Sequence, residues 1–138
     1  MENYSFSAGS VTVLKANVFL IEYNKIDSIT VRNVYDLVKL INNLVGHHPF
    51  YTISDFTGGL FNLTSEAKSF LADLEHKEYQ HLSDSILVDS LAKRIETEFY
   101  LTFHRPKVKT KVFNDLNKAL NWIEFQEKTI NKDDLEIA

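Results

Sequence analysis

Asp55, Thr57, Gly58, Gly59, Thr64 and Ser65 all fall in one stretch, ISDFTGGLFNLTSEAKSF, residues 53–70. Their types suit three kinds of chemistry. Asp55, at the end of an apolar run, is placed to serve as a ligand or general base, or to cap the turn that follows. Gly58 and Gly59 suit a backbone that cradles a phosphate, or a plain turn. Neither GxxxxGK[ST] nor GxGxxG is present, so the turn is the better reading. Ser65 and Thr64 stand where a helix starts. A phosphate added there would meet unpaired N–H groups and the positive end of the helix dipole, and would change the local charge by about −2. The plainer alternative is a hydroxyl that satisfies the first helical turn.

Other reactive groups do not assemble into a set. The histidines are 47, 48, 76, 81 and 104, with no HExxH among them, and cysteine is absent. No metal site is therefore assigned, and thiolate chemistry and disulfides are excluded. There is no GxSxG elbow and no nucleophile–base–orienter combination, so no catalytic residue is assigned and no cofactor is expected. Phe99, Tyr100 and Phe103, with Trp122, read either as core or as the wall of an apolar ligand pocket; exposed, they would mark a partner or dimer face.

The chain has 138 residues, 44% hydrophobic and 25% charged, which suits one globular domain. A chain of this size buries roughly two thirds of its unfolded surface and needs no staple. Net charge is −4, a poor match for nonspecific nucleic-acid binding. The charge is uneven. Lys93, Arg94, Arg105, Lys107, Lys109 and Lys111 crowd one segment, and the ending NKDDLEIA is acidic. That basic segment reads as a solvated edge or as a contact patch for an acidic partner. The first residues carry no basic region followed by an apolar core, and no run reaches the ~20 apolar residues of a membrane span. The expectation is a cytoplasmic protein.

The elements that would position these residues follow from pattern. SVTVLKANVFLIEYN reads as two strands with a hairpin turn at Lys15 to Asn17. In ITVRNVYDLVKLINNLVG, the residues Val34, Leu37, Val38, Ile41, Leu44 and Val45 share one helical face; Thr30 suits the N-cap and Gly46 the stop. PFYTISDF suits a buried strand. A second helix would turn Ala67, Phe70, Leu71 and Leu74 inward. DSILVD is a further strand, and SLAKRIETEFYLTFH a third helix capped by Ser90, with Pro106 beyond its end. VKTKVF is the last strand. Asn114 suits the cap of a final helix with Leu116, Ala119, Leu120 and Ile123 inward. Alternation of strand and helix implies right-handed crossovers and a mainly parallel sheet, with sites at the carboxyl ends of its strands. That rim would carry Asp55 to Ser65, Asp89, Ser90 and Asn114.

This order resembles that of the STAS family. DFTGGLFNLTSEAKSFL looks like the family's D-[FL]-S-G strand end followed by its D-S-S-G helix start. Placed without gaps, Thr64 and Ser65 fall on its two serines, and Ser65 on the one phosphorylated in anti-sigma factor antagonists. Leu63 and Glu66 replace the flanking aspartate and glycine, and Glu66 would repel an added phosphate. The ending LAKRIETEFYLTFHRPKVKTKVFNDLNKALNWIE resembles the SpoIIAA-like (STAS-like) bacterial proteins of unknown function, with Phe113, Asn114, Ala119, Leu120, Trp122 and Ile123 in the matching positions. The resemblance implies an α/β SpoIIAA/STAS-like fold: a four to five stranded, mainly parallel mixed sheet, an N-terminal β-hairpin and about four helices. The expected organisation is an extension over 1–9, the domain over 10–126 and an acidic tail over 127–138.

Three functions are compatible with these residues. The first is a non-enzymatic regulatory module that docks a protein partner through Asp55, Thr57, Gly58, Gly59, Asp89 and Ser90, with Ser65 or Thr64 as a phospho-switch. The second is a carrier of a small apolar ligand or lipid beside Phe99, Tyr100 and Phe103, by analogy with CRAL-TRIO proteins. The third, an enzyme, has the least support. A protein partner is expected, a homodimer is compatible, and neither nucleic acid nor a membrane span is.

Overall fold

Nine polar-punctuated segments and one short N-terminal strand build the chain, seen in a computed structural model that describes residues 1–24, 28–46, 48–57, 62–74, 80–103 and 108–137. The elements are β1 (Asn3–Phe6), β2 (Gly9–Lys15), β3 (Val18–Tyr23), α1 (Val31–Val45), β4 (Phe50–Asp55), α2 (Ser65–Leu74), β5 (His81–Leu87), α3 (Leu91–Phe103), β6 (Lys109–Phe113) and α4 (Leu116–Ile137). One six-stranded sheet has the order β1-β2-β3-β4-β5-β6. The first two pairings are antiparallel and the other three parallel.

The expected mixed α/β sheet with its hairpin and four helices is present, and it gains a sixth strand. Residues 3–6, expected as an extension, pair with β2 in register Asn3↔Thr12 to Phe6↔Gly9. The acidic ending is also regular, since α4 runs on to Ile137.

Sequential parallel strands joined by right-handed crossovers place every connecting helix on one face. That geometry explains the core. Leu37, Ile41 and Val45 of α1 pack on Val11, Phe19, Ile21 and Phe50. Ala67 of α2 and Leu101 of α3 pack around Ile86, Val88 and Val112 of the same face. Only α4, which follows the last strand, is free to cover the other side. There Ala119 and Ile123 meet Val18, Tyr51, Ile53 and Leu87.

The caps follow local chemistry. Thr30 caps α1 through a reciprocal box with Asn33, and Gly46 ends the helix at φ 63°, a region glycine enters without a Cβ clash. The last helix is capped one residue later than expected. The Asp115 carboxylate accepts from Asn117 N–H at 2.7 Å and Lys118 N–H at 3.3 Å, while Asn114 Oδ1 accepts from Lys118 Nζ. A carboxylate there also meets the positive end of the helix dipole. Thermal denaturation should therefore show Asp115→Ala costing about 1 kcal/mol and Asn114→Ala no more than a few tenths.

Candidate functional site

The carboxyl rim of the sheet is a connected polar surface. Asp55 and Leu87 are register partners at the ends of β4 and β5, and Phe56 N–H donates to Leu87 O at 3.0 Å. These bonds hold the two strand ends level. Asp55 Oδ1 accepts from Thr57 N–H at 2.9 Å and from the Thr57 hydroxyl at 2.6 Å. Its role is thus to shape the turn after β4, the capping alternative above. Across the rim, Ser90 Oγ accepts from Lys93 N–H at 3.1 Å and caps α3. Lys93 then joins the two halves. Its Nζ donates to Thr57 O at 3.3 Å and pairs with Asp89 at 3.0 Å. The ion pair is partly exposed and contributes little energy by itself; what it fixes is the spacing of the two strand ends.

The start of α2 lies on the same rim. Thr64 N–H donates to Ile29 O at 3.0 Å, and Ile29 N–H to Asn62 O at 2.8 Å. Thr64 Oγ1 accepts from Ala67 N–H at 3.2 Å, so Thr64 is the N-cap and its hydroxyl is engaged. Ser65 is the first helical residue and is exposed.

Large apolar side chains sit beside this network. Leu91 and Ile95, one turn apart on α3, are 73% and 59% exposed. The rim therefore brings together Asp55, Thr57, Asp89 and Ser90, adds Lys93, Leu91 and Ile95, and keeps Ser65 at its edge. Gly58 and Gly59 lie outside the described residues. So do the side chains of Phe99, Tyr100 and Phe103, whose backbone belongs to α3.

A second polar group sits mid-sheet, and nothing in the strand pattern announced it. Thr52 and Ser54 of β4 face the α1–α3 layer beside Asp84 of β5. Ser54 Oγ and Thr52 Oγ1 both donate to Asp84 Oδ1 at 2.9 Å. Thr52 Oγ1 also lies 2.6 Å from His81 Nε2. A hydroxyl carries one proton. Given to Asp84, or to Ser83 O at 3.4 Å, it leaves the Thr52 oxygen as acceptor for the Nε2–H tautomer of His81. Phe50 stacks on the imidazole at 4.9 Å. Burial pushes the Asp84 carboxyl up to about 6, against the two hydroxyl bonds that hold it down. Burial lowers His81 to about 4, opposed by a backbone bond to Ser83.

Carboxylate, hydroxyl and imidazole in a row suggest acyl-transfer chemistry, but the hydroxyl is buried. Thr52 is only 2% exposed, so no reacting atom reaches its oxygen. The group is a structural polar network. Among the described residues no cluster of three or more His, Asp or Glu side chains is arranged to hold a metal ion, and no helix is long and apolar enough to cross a membrane.

Three comparisons bear on this geometry. The model of a family described as Domain of unknown function (DUF7793) matches residues 12–126. Among solved structures, the chain is similar to an uncharacterized protein of the DUF3478 family with a SpoIIAA-like fold from Shewanella loihica PV-4. The two share 17% identity over 88% of this chain and 97% of the other, with a TM-score of 0.57. Comparison with curated proteins gives no match. At that identity the likeness establishes the fold, which is SpoIIAA-like.

Proposed function

The chain belongs to the DUF7793 family of domains of unknown function, and on that premise we propose that it is a non-enzymatic, cytoplasmic STAS-like regulatory module that docks a protein partner through the carboxyl rim. The observation that carries this reading is the exposed pair Leu91 and Ile95 beside a rim held in shape by Asp55, Thr57, Lys93 and Asp89. Apolar side chains ringed by ordered polar groups are the usual make-up of a protein-binding face. A preformed rim also loses little conformational entropy on binding.

Ser65 supports a regulatory step at the same place. Its exposed position at the first turn of α2 puts a kinase target where added charge would change the rim. The apolar-carrier reading has less support. The sheet face under the crossover helices carries Thr52, Ser54 and Asp84, a floor that suits a lipid tail poorly.

The test is site-specific photo-crosslinking in cells of the native host. A crosslinker at Ile95 should capture one discrete protein, and the same group at exposed Lys39 on α1 should not. Leu91→Asp should remove the Ile95 crosslink while changing stability by no more than about 0.5 kcal/mol. Equal capture at Ile95 and Lys39, or capture unaffected by Leu91→Asp, would refute docking at the rim. Intact mass measured alongside would show a phosphate on Ser65 if the switch operates.

A further inference from the structure

We infer that the β6 edge of the sheet is a second, independent docking site, and that its occupant is an extended acidic segment of a partner protein that adds a strand beside β6. Among the described residues β6 pairs only with β5. Phe113 O accepts from Val88 N–H, so Phe113 points its backbone toward the sheet interior. Backbone direction alternates along a strand. Lys111 and Lys109 therefore point inward with Phe113, and Thr110 and Val112 present N–H and C=O groups to the open side.

The side chains over that edge decide what fits. Lys109 and Lys111 are exposed, and neither has a carboxylate partner among the described residues. Both ammonium groups lie over the Trp122 ring at 5.9 Å, and Lys111 also lies over Phe113 at 5.6 Å. Trp122 tilts against Phe113 at 5.7 Å. One turn on, Phe125 is 66% exposed. Two uncompensated cations thus stand two residues apart on one face of an open strand, in a protein whose net charge is −4. Lysines on an edge also discourage indiscriminate strand pairing. The same charges select one class of strand, an acidic one whose carboxylates recur every second residue and meet both ammonium groups as its backbone pairs with Thr110 and Val112. The chain's own acidic ending is not that strand, because it is helical to Ile137.

Trp122 is the single tryptophan, so its emission reports directly on this edge. The probe is an acetylated, amidated peptide of alternating Glu and Thr, with alternating Lys and Thr as control. The acidic peptide should produce a saturable change in Trp122 emission and slow amide exchange at Thr110 and Val112. The Lys109→Glu/Lys111→Glu variant should weaken binding about ten-fold; the Lys109→Arg/Lys111→Arg variant should retain it. Binding should also fall steeply at ~1 M salt, where charges are screened within ~3 Å. No saturable change at millimolar peptide, equal binding by the charge-reversed protein, or protection confined to other strands would each overturn the inference.

Discussion

Replacing Gly9 with alanine should destabilise the protein by roughly 3 kcal/mol, the upper end of what overpacking costs, and lower its melting temperature by about 10 °C. Gly9 closes the β1–β2 hairpin against Phe6 and is also the register partner of Tyr23. A Cβ built there falls inside van der Waals contact with Glu22 O, 2.9 Å from Glu22 C and 3.0 Å from Tyr23 Cα. These are backbone atoms, so no rotamer change relieves the clash. The strands must separate. Separation also loosens Tyr23, which stacks on Phe56 at 4.9 Å and meets Phe6 edge-on at 6.0 Å. The control is Gly46→Ala. No atom lies within 4 Å of its Cβ position, so its penalty is confined to the backbone, at φ 63° and ψ −120°, and about 1–3 kcal/mol is expected there with no strand forced apart. Thermal melts of the two variants decide the matter. A Gly9→Ala protein as stable as the unmodified one would mean that β1 and β2 are not tied to β3 as described.

Gly9 marks where sequence reasoning stopped. Residues 3–6, Asn-Tyr-Ser-Phe, alternate polar and aromatic but are too short to signal a strand alone, and they become one because β2 offers an edge. The longer elements were legible. The helical spacing of Val34, Leu37, Val38, Ile41 and Val45 and the apolar run of β4 each state which face is buried, and the alternation of strand and helix dictates the parallel order. Capping chemistry at Thr30, Thr64 and Ser90 was legible too, because a hydroxyl before an apolar-periodic run has few other uses. At the last helix the expected cap was Asn114, and only the folded chain shows the Asp115 carboxylate accepting from Asn117 and Lys118 instead. The rim was visible as residue types near strand ends. Its link, Lys93, was not, because a lysine one turn into a helix gives no sign of reaching Thr57, far away in sequence. The polar floor was hidden for a similar reason. Thr52, Ser54 and Asp84 become neighbours only through the β4–β5 register, and His81 lies upstream of the apolar part of β5.

That floor carries the prediction with the clearest sign. His81 and Asp84 make opposite contributions to the pH dependence of stability. In the unfolded chain His81 binds its proton near 6.5, and in the fold only near 4. Its contribution is therefore complete above pH 6.5 and is lost as pH falls through 4. Asp84 releases its proton near 3.8 unfolded and near 6 folded. Its contribution is complete below pH 3.8 and is lost as pH rises through 6. Over the shared window unfolding takes up about as many protons at His81 as it releases at Asp84, so the two slopes nearly cancel. Each shift corresponds to roughly 3 kcal/mol. Asp84→Asn keeps an acceptor for the Ser54 and Thr52 hydroxyls and removes one of the two titrations. It should leave a protein that loses roughly 3 kcal/mol between pH 6.5 and pH 4, with His81 alone responsible. His81→Gln should do the reverse and grow more stable on acidification over that range. Urea unfolding across the window reads both slopes, and a double variant should be flat again. If Asp84→Asn and the unmodified protein share one pH profile, the Asp84 carboxyl titrates in the fold as it does in water, and the hydroxyl–carboxylate–imidazole row is not the closed network described here.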